Sequence, residues 1–478
     1  MILKNKYNII ILDNNKTVNK KQGDNEMKQN INMLEGSLLK NIFLYTIPII
    51  LTSVLQLLFN AADLAVVGRY CGEISVAAVG NATIITFFIV NLFVGFSIGS
   101  GVITAQAIGA KDEKALHKIV HTSMPVSVIC GIVVTFVGVV FSKKLLLLMN
   151  TPESVLSLSD IYVKVYFSGA IFMLIYNFGA SILRAAGDTK TPLIFLVISG
   201  VLNVILNIIF VTQFNLNVLG VALATTISQA VSAILVVLLL IRRTDGCRLI
   251  LSKMKIYKSQ VLGIIRIGLP AGLQNALFSI SNIVIQSSVN AFGDVLMAGN
   301  ATAGNVEGFI YVALNSFMQT SLNFVGQNVG AKQYKRVKKV FTLCIMSVFA
   351  VGIVLTTLIN LFGTSILSIY ITDSPEAIQY GLIRLRYVGY AYCIGGIVDV
   401  ISGALRGMGT SVLPMLISVF GVCGVRIMWI YTIFQMPRYH TPQCLYSSYG
   451  ISYIITFVVM VISFTFVFRK KSRIDSFV

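Results

Sequence analysis

A carboxylate and three uncharged polar side chains share a regular spacing near the start of the chain. At intervals of three, four and three residues, they are Ser53, Gln56, Asn60 and Asp63. This spacing puts all four on one face of an α-helix, while the residues between them are apolar. An Asp in that setting can exchange a proton or Na⁺, because both cations compete for the same carboxylate oxygens. We therefore predict cation exchange at Asp63; the alternative is a merely interfacial Asp, since Arg69 follows closely.

A second polar series occupies a later apolar stretch at every fourth position. Its members are Glu307, Tyr311, Asn315, Gln319, Asn323 and Gln327. Successive members drift by about 40° around a helix, so only the first three share a face. A charge at bilayer depth costs roughly 2.5–3.5 kcal/mol on insertion scales, so Glu307 needs a physical role. We predict that the first three line a substrate cavity; polar packing between helices is the alternative.

Two more charged residues, Asp399 and Arg426, lie within apolar stretches. One interpretation is that they pair with each other, directly or through water, and hold this part of the protein together. The other is that Asp399 faces the cavity and attracts a cation. The predicted substrate cavity therefore combines polar side chains from several helices: Gln56, Asn60, Asn177, Glu307, Tyr311, Asn315 and Asp399.

The composition indicates that a membrane surrounds these side chains. The 478 residues are 56% hydrophobic and 12% charged, whereas ordinary globular domains are roughly 25% charged. Apolar blocks of about 20 residues, the length of a membrane-spanning helix, recur along the whole chain. Alternating barrel patterning is absent from the sequence, so the spanning elements are helices. We predict twelve spans, near residues 40–67, 75–104, 119–141, 161–184, 191–213, 217–241, 261–290, 295–329, 337–361, 379–405, 412–436 and 446–468.

The net charge of +19 reflects membrane topology. Lys and Arg concentrate at both termini and in alternate loops, including those around Lys111, Arg184, Lys332 and Arg406. Loops rich in Lys and Arg remain on the cytoplasmic side of a membrane. We therefore predict a multi-pass protein of the cytoplasmic (plasma) membrane with both termini in the cytoplasm. The same distribution argues against binding of nucleic acid.

The sequence predicts an internal repeat in which a six-helix unit occurs twice. QAIGAKDEK at 106–114 returns as QNVGAKQYK at 327–335, and ILRAAG at 182–187 returns as ALRGMG at 404–409. Because six is even, both units cross the membrane in the same orientation, and an axis along the membrane normal relates them. The predicted fold is therefore all-α, with twelve transmembrane helices in two pseudo-symmetric six-helix lobes that rock about a cavity near the midplane.

The predicted domain organisation follows the repeat. A polar cytoplasmic extension at 1–36 precedes an N-lobe at 37–241, and a basic cytoplasmic linker at 242–260 leads to a C-lobe at 261–478 that ends in a short basic tail. The linker is long and basic enough for the lobes to rock against each other.

From about Leu34 to the last span, the chain resembles the multidrug and toxic compound extrusion (MATE) transporters. The order and duplication of several strings support the resemblance, namely LEGSLLK, NAADLAVVG, GQNVGAK, SILRAAGDTKTP, SGALRGMG, LNVILN and GVALATTISQ. The resemblance implies a cation-coupled antiporter that expels amphipathic, often cationic, compounds.

The resemblance also implies which residues couple transport to a cation. The family's first-helix Asp has the NxxD context of Asp63, and relatives complete a Na⁺ or H⁺ site at the positions of Asn203, Asn207 and Thr225. The position of Asn207 is often Asp in such relatives, so this chain has one carboxylate there instead of two. Oxygen ligands still suit a hard cation such as Na⁺, and the choice between proton and sodium stays open. The Glu that one branch carries early in the seventh span is missing from GLPAGLQNALFS.

We predict a secondary-active multidrug efflux antiporter that exports amphipathic or cationic organic compounds in exchange for H⁺ or Na⁺. The expected partners are small organic substrates and the lipid bilayer, and the expected state is a monomer. We expect no enzymatic activity, no cofactor, no metal beyond Na⁺ at Asp63, and no ATP, since the P-loop string GxxxxGK[ST] is absent.

Two alternatives remain. A flippase or exporter of lipid-linked or polysaccharide precursors would need a lateral opening and a basic cavity for a phosphate-linked head group, whereas the polar spans favour Asp and Glu over Arg and Lys. An intramembrane aspartyl enzyme would use Asp63 and Asp399, but the GxGD-type context is missing.

Overall fold

The computed structural model describes residues 30–474. The first six spanning helices, which form the N-lobe, are α1 (Leu38–Tyr70), α2 (Glu73–Gly109), α3 (Glu113–Leu148), α4 (Glu153–Ser168 and Ala170–Ala185), α5 (Lys190–Ile208) and α6 (Asn217–Arg242). The C-lobe contains α7 (Lys258–Asn290), α8 (Asp294–Gly330), α9 (Tyr334–Leu361), α10 (Pro375–Gly407), α11 (Val412–Ser418 and Val425–Tyr431) and α12 (Pro442–Ile474). Most of the predicted extension at 1–36 lies outside the described residues.

The twelve-helix, two-lobe architecture predicted from the sequence is confirmed. Ten of the helices are long and apolar enough to cross a membrane, and α4 is an eleventh span whose two halves are bent by 46°. The remaining helix, α8, is 37 residues long and carries the polar series from Glu307 to Gln327. Its polar side chains are tolerated because nearly every residue from Ala313 to Asn328 is buried against other helices.

The helix boundaries differ from the predicted spans in two instructive ways. The span predicted at 119–141 belongs to a helix that runs from Glu113 to Leu148, and Asp112 caps its start by accepting a hydrogen bond from the Ala115 amide. The span predicted as continuous at 161–184 is interrupted at Gly169. There the Thr135 hydroxyl donates to the Phe167 carbonyl over 2.7 Å, so a side chain satisfies the backbone that the bend frees.

Equivalent helices of the two lobes share irregular features. A π-helical turn at Ile209–Gln213 follows α5, and another at Val419–Gly424 separates the two segments of α11. The repeated GAK loops also adopt one conformation, since Lys111 and Lys332 have φ values of 55° and 57°. Left-handed backbone is uncommon for a non-glycine residue, so its presence at both positions supports the internal repeat.

The first helix of each lobe packs against the second helix of the other lobe. Between α2 and α7 the backbones nearly touch, because a Cβ atom at Gly95 or Gly99 would overlap the backbone of α7. Between α1 and α8 the contact is made by side chains instead. The hydroxyls of Thr46 and Thr320 lie 2.8 Å apart, and nearby rings of Tyr45 and Phe324 meet edge to face.

A pair of glutamines joins the lobes at the end of the molecule that bears the basic loops, which we call the basic end. Gln106 of α2 donates to the Gly407 carbonyl over 2.8 Å, and Gln327 of α8 donates to the Ala185 carbonyl over 2.7 Å. These are the first residues of the two copies of the repeated loop motif. We call the two bonds the glutamine seal, and they hold the lobes together at the basic end.

The linker between the lobes lies along the start of α3. The Ile250 amide donates to His121 Nε2 over 3.0 Å, and the Tyr257 amide donates to the Thr122 hydroxyl over 3.2 Å. Cys247 of the linker is buried, and this burial raises the pKa of its thiol to about 12. The linker is therefore hydrogen-bonded to the N-lobe at Ile250 and at Tyr257.

Candidate ion site and central cavity

Asp63 lies inside the N-lobe among neutral hydrogen-bonding side chains. It is partly buried on α1 and accepts a hydrogen bond from the Asn207 side-chain amide of α5. The same amide is 3.3 Å from Asn203 Oδ1, and the Asn203 amide donates to the Thr225 hydroxyl of α6 over 3.3 Å. Thr225 also lies close to Asp63. The structure thus brings together the four residues predicted from the family resemblance, which we call the Asp63 cluster.

The local sequence explains how these side chains converge. Asn203 and Asn207 are four residues apart, so they lie one turn apart on the same face of α5. Both are buried, and Asn207 is 0% exposed. Its Oδ1 atom has no hydrogen-bond partner among the described residues. An unused acceptor beside a carboxylate is available to a cation, and buried acceptors are normally satisfied.

No basic side chain neutralises Asp63 within the described residues. The ion pairs found there join Lys164 to Asp160, Arg243 to Asp245 and Arg384 to Glu307. The Asp63 cluster therefore offers carboxylate, amide and hydroxyl oxygens with one formal negative charge. Such a set can take up a proton or bind a hard cation, and whether it does so in transport stays a prediction.

A separate cavity of about 510 Å³ lies between the lobes. Five residues predicted to line a substrate cavity line this one: Gln56, Asn177, Tyr311, Asn315 and Asp399. Aromatic and apolar side chains complete the walls, including Phe278, Met318, Leu322, Tyr392, Tyr449 and Tyr453. The cavity thus combines amides with apolar surface, as a site for amphipathic molecules requires.

Two residues predicted to line the cavity lie elsewhere. Asn60 is exposed and outside the lining. Glu307 is 2% exposed and forms a two-bond ion pair with Arg384 of α10, with nitrogen–oxygen distances of 3.0 and 2.9 Å. The predicted cavity position of Glu307 is wrong, and the alternative of polar packing between helices describes it. The sequence pattern misled because Arg384 lies outside the helix that carries Glu307.

A direct ion pair between Asp399 and Arg426, which was one interpretation of the sequence, is absent from the described residues. Asp399 lies beside Asn315, and the basic side chain that interacts with it is Arg406. Arg426 donates instead to the Ser452 hydroxyl over 3.0 Å. Asp399 does face the cavity, as the second interpretation of the sequence required.

Of two arginines that the sequence placed in basic loops, Arg184 lines the cavity and Arg406 lies behind its lining, near Asp399. Arg184 donates to Gln319 of α8 over 3.0 Å. Arg406 is 2% exposed and donates to Gln274 of α7 over 2.8 Å. The repeated strings ILRAAG and ALRGMG carry these arginines at equivalent positions, and this duplication was the available signal.

The charges of the cavity differ from the acid-rich surface expected from the sequence. Its charged lining residues are Arg184, Asp399 and Arg426. With Asp399 ionised, the lining still carries an excess of one positive charge, and Arg406 lies buried next to Asp399. A cationic substrate would therefore meet two guanidinium groups in this cavity.

Comparison with known proteins establishes the family. The MatE family model matches residues 48–209 and again residues 270–432, so it covers most of each lobe. The chain belongs to the MatE family. The two matched segments begin at Pro48 of α1 and Pro270 of α7, which are equivalent positions of the repeat.

The relatives of this MatE-family chain are named as multidrug resistance or multidrug export proteins. This chain is 28% identical over 444 residues to the probable multidrug resistance protein YoeA of Bacillus subtilis. The aligned residues cover 91% of this chain and 95% of the relative. This chain is 22% identical over 365 residues to the multidrug export protein MepA of Staphylococcus aureus, covering 76% and 80% of the two chains. A solved multidrug resistance MATE family transporter in an outward-facing conformation superposes with a TM-score of 0.85 at 21% identity, covering 94% and 99%. The chain is therefore a multi-pass membrane transporter.

Proposed function

We propose that this transporter is a secondary-active efflux antiporter that exports amphipathic organic compounds in exchange for H⁺ or Na⁺. The observation that carries the proposal is Asp63, a partly buried carboxylate whose hydrogen-bonding partners are neutral. The names of the multidrug resistance and export relatives support the substrate class. The apolar and amide walls of the central cavity support it as well.

Cation occupancy of the Asp63 cluster would bias the conformation of the N-lobe. An ionised carboxylate is costly to enclose at bilayer depth, and a bound proton or Na⁺ removes that cost. For Na⁺, the oxygens of Asn203, Asn207 and Thr225 supply further ligands. The ion then shifts the equilibrium towards whichever conformation encloses Asp63 more fully, by as much as its affinity differs between the two.

The positive-inside rule supports a cytoplasmic location for the basic end and for both termini, in the cytoplasmic membrane. On that orientation, the glutamine seal of Gln106 and Gln327 closes the cytoplasmic side. Export would then require the seal to open towards the cytoplasm and close again around each substrate.

The test is dye export from energised cells that lack their own pumps, under Na⁺ and proton gradients imposed separately. A panel of amphipathic dyes of both charge signs avoids assuming the charge of the substrate. We expect export to follow one gradient and to fall to background in Asp63→Asn. Asp294→Asn, the same change at the exposed start of α8, is the matched control and should export normally. Export that persists in Asp63→Asn would reject Asp63 as the coupling residue.

A flippase for lipid-linked or polysaccharide precursors is the second candidate. The guanidinium groups of Arg184 and Arg426 in the cavity favour it, because they suit a phosphate-linked head group. Translocation of a fluorescent lipid-linked phosphate in proteoliposomes, with no gradient-driven dye export, would select this candidate.

A further inference from the structure

Arg426 occupies an unusual position in the wall of the central cavity. It lies in the second segment of α11, directly after the π-helical turn at Val419–Gly424, and is 4% exposed. The central carbon of its guanidinium group lies 4.0 Å from the ring centroid of Tyr449 and 4.8 Å from that of Tyr453. Cation–π contacts of this kind hold the group in place while its N–H groups can still donate hydrogen bonds.

The hydrogen-bonding capacity of Arg426 is only partly used. Nε donates to Ser452, and Tyr453 also hydrogen-bonds to the guanidinium group, whereas Nη2 is buried without a partner among the described residues. None of the ion pairs found in the described part of the chain includes Arg426. A buried cation with an unused donor is destabilising unless an anion reaches it.

Asp399, the carboxylate in the lining, does not supply that anion. Its interacting basic side chain is Arg406, and Asn315 hydrogen bonds to it. The electrostatic neighbours of Arg426 are tyrosines, namely Tyr392, Tyr449 and Tyr453. Asp399 and Arg406 thus offset each other, while Arg426 has no ion-pair partner among the residues that the structure describes.

We propose that the wall around Arg426 binds the anionic group of the transported compound, a carboxylate, sulfonate or phosphate attached to an apolar body. The guanidinium edge matches the paired oxygens of such a group. The apolar body would lie against Phe278, Met318 and Leu322, which line the same cavity. This inference rests on the proposed export function and narrows its substrate class to amphipathic anions, where the sequence pointed to cations.

The test compares two dyes that share a xanthene ring system and differ in charge, carboxyfluorescein (anionic) and rhodamine 123 (cationic). Fluorescence polarisation measures binding of each dye to the purified full-length protein in neutral detergent. We expect carboxyfluorescein to bind more tightly. Arg426→Gln should weaken its binding about ten- to hundredfold, the value of a charge-assisted hydrogen bond, without weakening rhodamine 123. Arg426→Lys keeps the charge but loses the planar guanidinium group. Its affinity for carboxyfluorescein should lie between those of the native protein and Arg426→Gln.

Arg386→Gln provides the matched control, because Arg386 is exposed on α10 and outside the cavity lining. It should leave the affinities for both dyes unchanged. Should Arg426→Gln fail to fold, competition on the native protein replaces it: octanesulfonate should displace carboxyfluorescein, and octyltrimethylammonium should not. Tighter binding of rhodamine 123 to the native protein, or equal displacement by the two octyl compounds, would overturn the proposal.

Two further experiments, a transport assay in proteoliposomes and a lipid competition assay, distinguish this inference from the proposed function and identify the source of the anion. If neither dye moves under any gradient in proteoliposomes while carboxyfluorescein still binds through Arg426, export fails as a function and the anion site stands. Short-chain phosphatidylglycerol that displaces the dye better than phosphatidylcholine of equal chain length would identify a lipid head group as the anion. Equal, weak displacement by both lipids would identify a free organic anion.

Discussion

The two lobes each enclose an acidic residue, and the two acids have opposite surroundings. Glu307 in the C-lobe accepts hydrogen bonds from Nε and Nη2 of Arg384, with nitrogen–oxygen distances of 3.0 and 2.9 Å. Asp63 in the N-lobe contacts amide and hydroxyl groups and has no ion-pair partner in the described part of the chain. The two lobes therefore share their helices but not these two acidic residues.

The presence or absence of a basic partner gives the two acids different expected roles. Glu307 is a structural charge, whereas we predict that Asp63 exchanges a cation. A buried ion pair contributes little net stability, but removal of one partner leaves the other charge unpaired. Glu307 is therefore neutralised by Arg384 in this structure. Asp63 has no ion-pair partner in the described part of the chain, so we predict that a cation from solution neutralises it and leaves again. The same argument applied to a basic side chain distinguishes Arg384, which has an acid partner, from Arg426, which has none in the described part of the chain.

The largest effect should follow from loss of the Glu307 carboxylate. We expect Glu307→Gln to lower the free energy of unfolding by about 3–5 kcal/mol, because Arg384 is left charged and buried. Asp63→Asn, the corresponding change in the N-lobe, should alter it by less than about 1 kcal/mol, because the new amide oxygen still accepts from Asn207. Thermal or denaturant unfolding of the purified variants in one detergent measures both.

The double variant Glu307→Gln with Arg384→Gln provides the control for this comparison. It removes both charges, so it should be more stable than Glu307→Gln alone. A loss in Asp63→Asn as large as that in Glu307→Gln would contradict the distinction between the two acids.

A second carboxylate in the Asp63 cluster should produce an effect of intermediate size on stability and should increase the difference between Asp63 and Glu307. Asn207→Asp places a like charge beside Asp63, which destabilises the ion-free protein and strengthens cation binding. A tenfold gain in Na⁺ affinity would add about 1.4 kcal/mol of Na⁺-dependent stabilisation. Melting temperatures in Na⁺ and in a large organic cation of equal ionic strength measure the gain. Identical Na⁺ responses in the native protein and the variant would exclude Na⁺ binding at this position.

The smallest effect should come from Thr225, which accepts a hydrogen bond from Asn203 at the edge of the cluster. Thr225→Ala should cost about 0.5–1.5 kcal/mol of stability and weaken the gradient dependence of export without abolishing it. Thr225→Ser keeps the hydroxyl and should behave as the native protein. A loss of export in Thr225→Ala as complete as in Asp63→Asn would place Thr225 at the centre of the cluster.

The number of helices and their division into lobes could be predicted from the sequence because both depend on local properties. Apolar length determines a span, and the recurrence of QAIGAK as QNVGAK marks the repeat. Asn203 and Asn207 were predictable as neighbours for the same reason, since a spacing of four places them on one face. Helix ends were less predictable, because helices such as α3 continue beyond their apolar core.

The partners of the charged residues could not be predicted, because they lie on other helices. Glu307 and Arg384 are 77 positions apart and meet through the packing of α8 against α10. Arg184 and Arg406 lie in the last turns of their helices, where topology alone accounts for a basic residue. Their contacts with Gln319 and Gln274 require the neighbouring lobe helices to be in place. Local spacing carries no information about such contacts.

The glutamine seal has a consequence for how transport responds to membrane voltage. Gln106 and Gln327 are uncharged, and each donates to a backbone carbonyl of the other lobe. Moving one elementary charge through the membrane field changes the energy by about 2.3 kcal/mol per 100 mV, whereas breaking these two bonds moves none. Opening of the seal should therefore be electrically silent. Any voltage dependence of export then measures the charge carried by the coupling ion, the substrate and the arginines of the cavity.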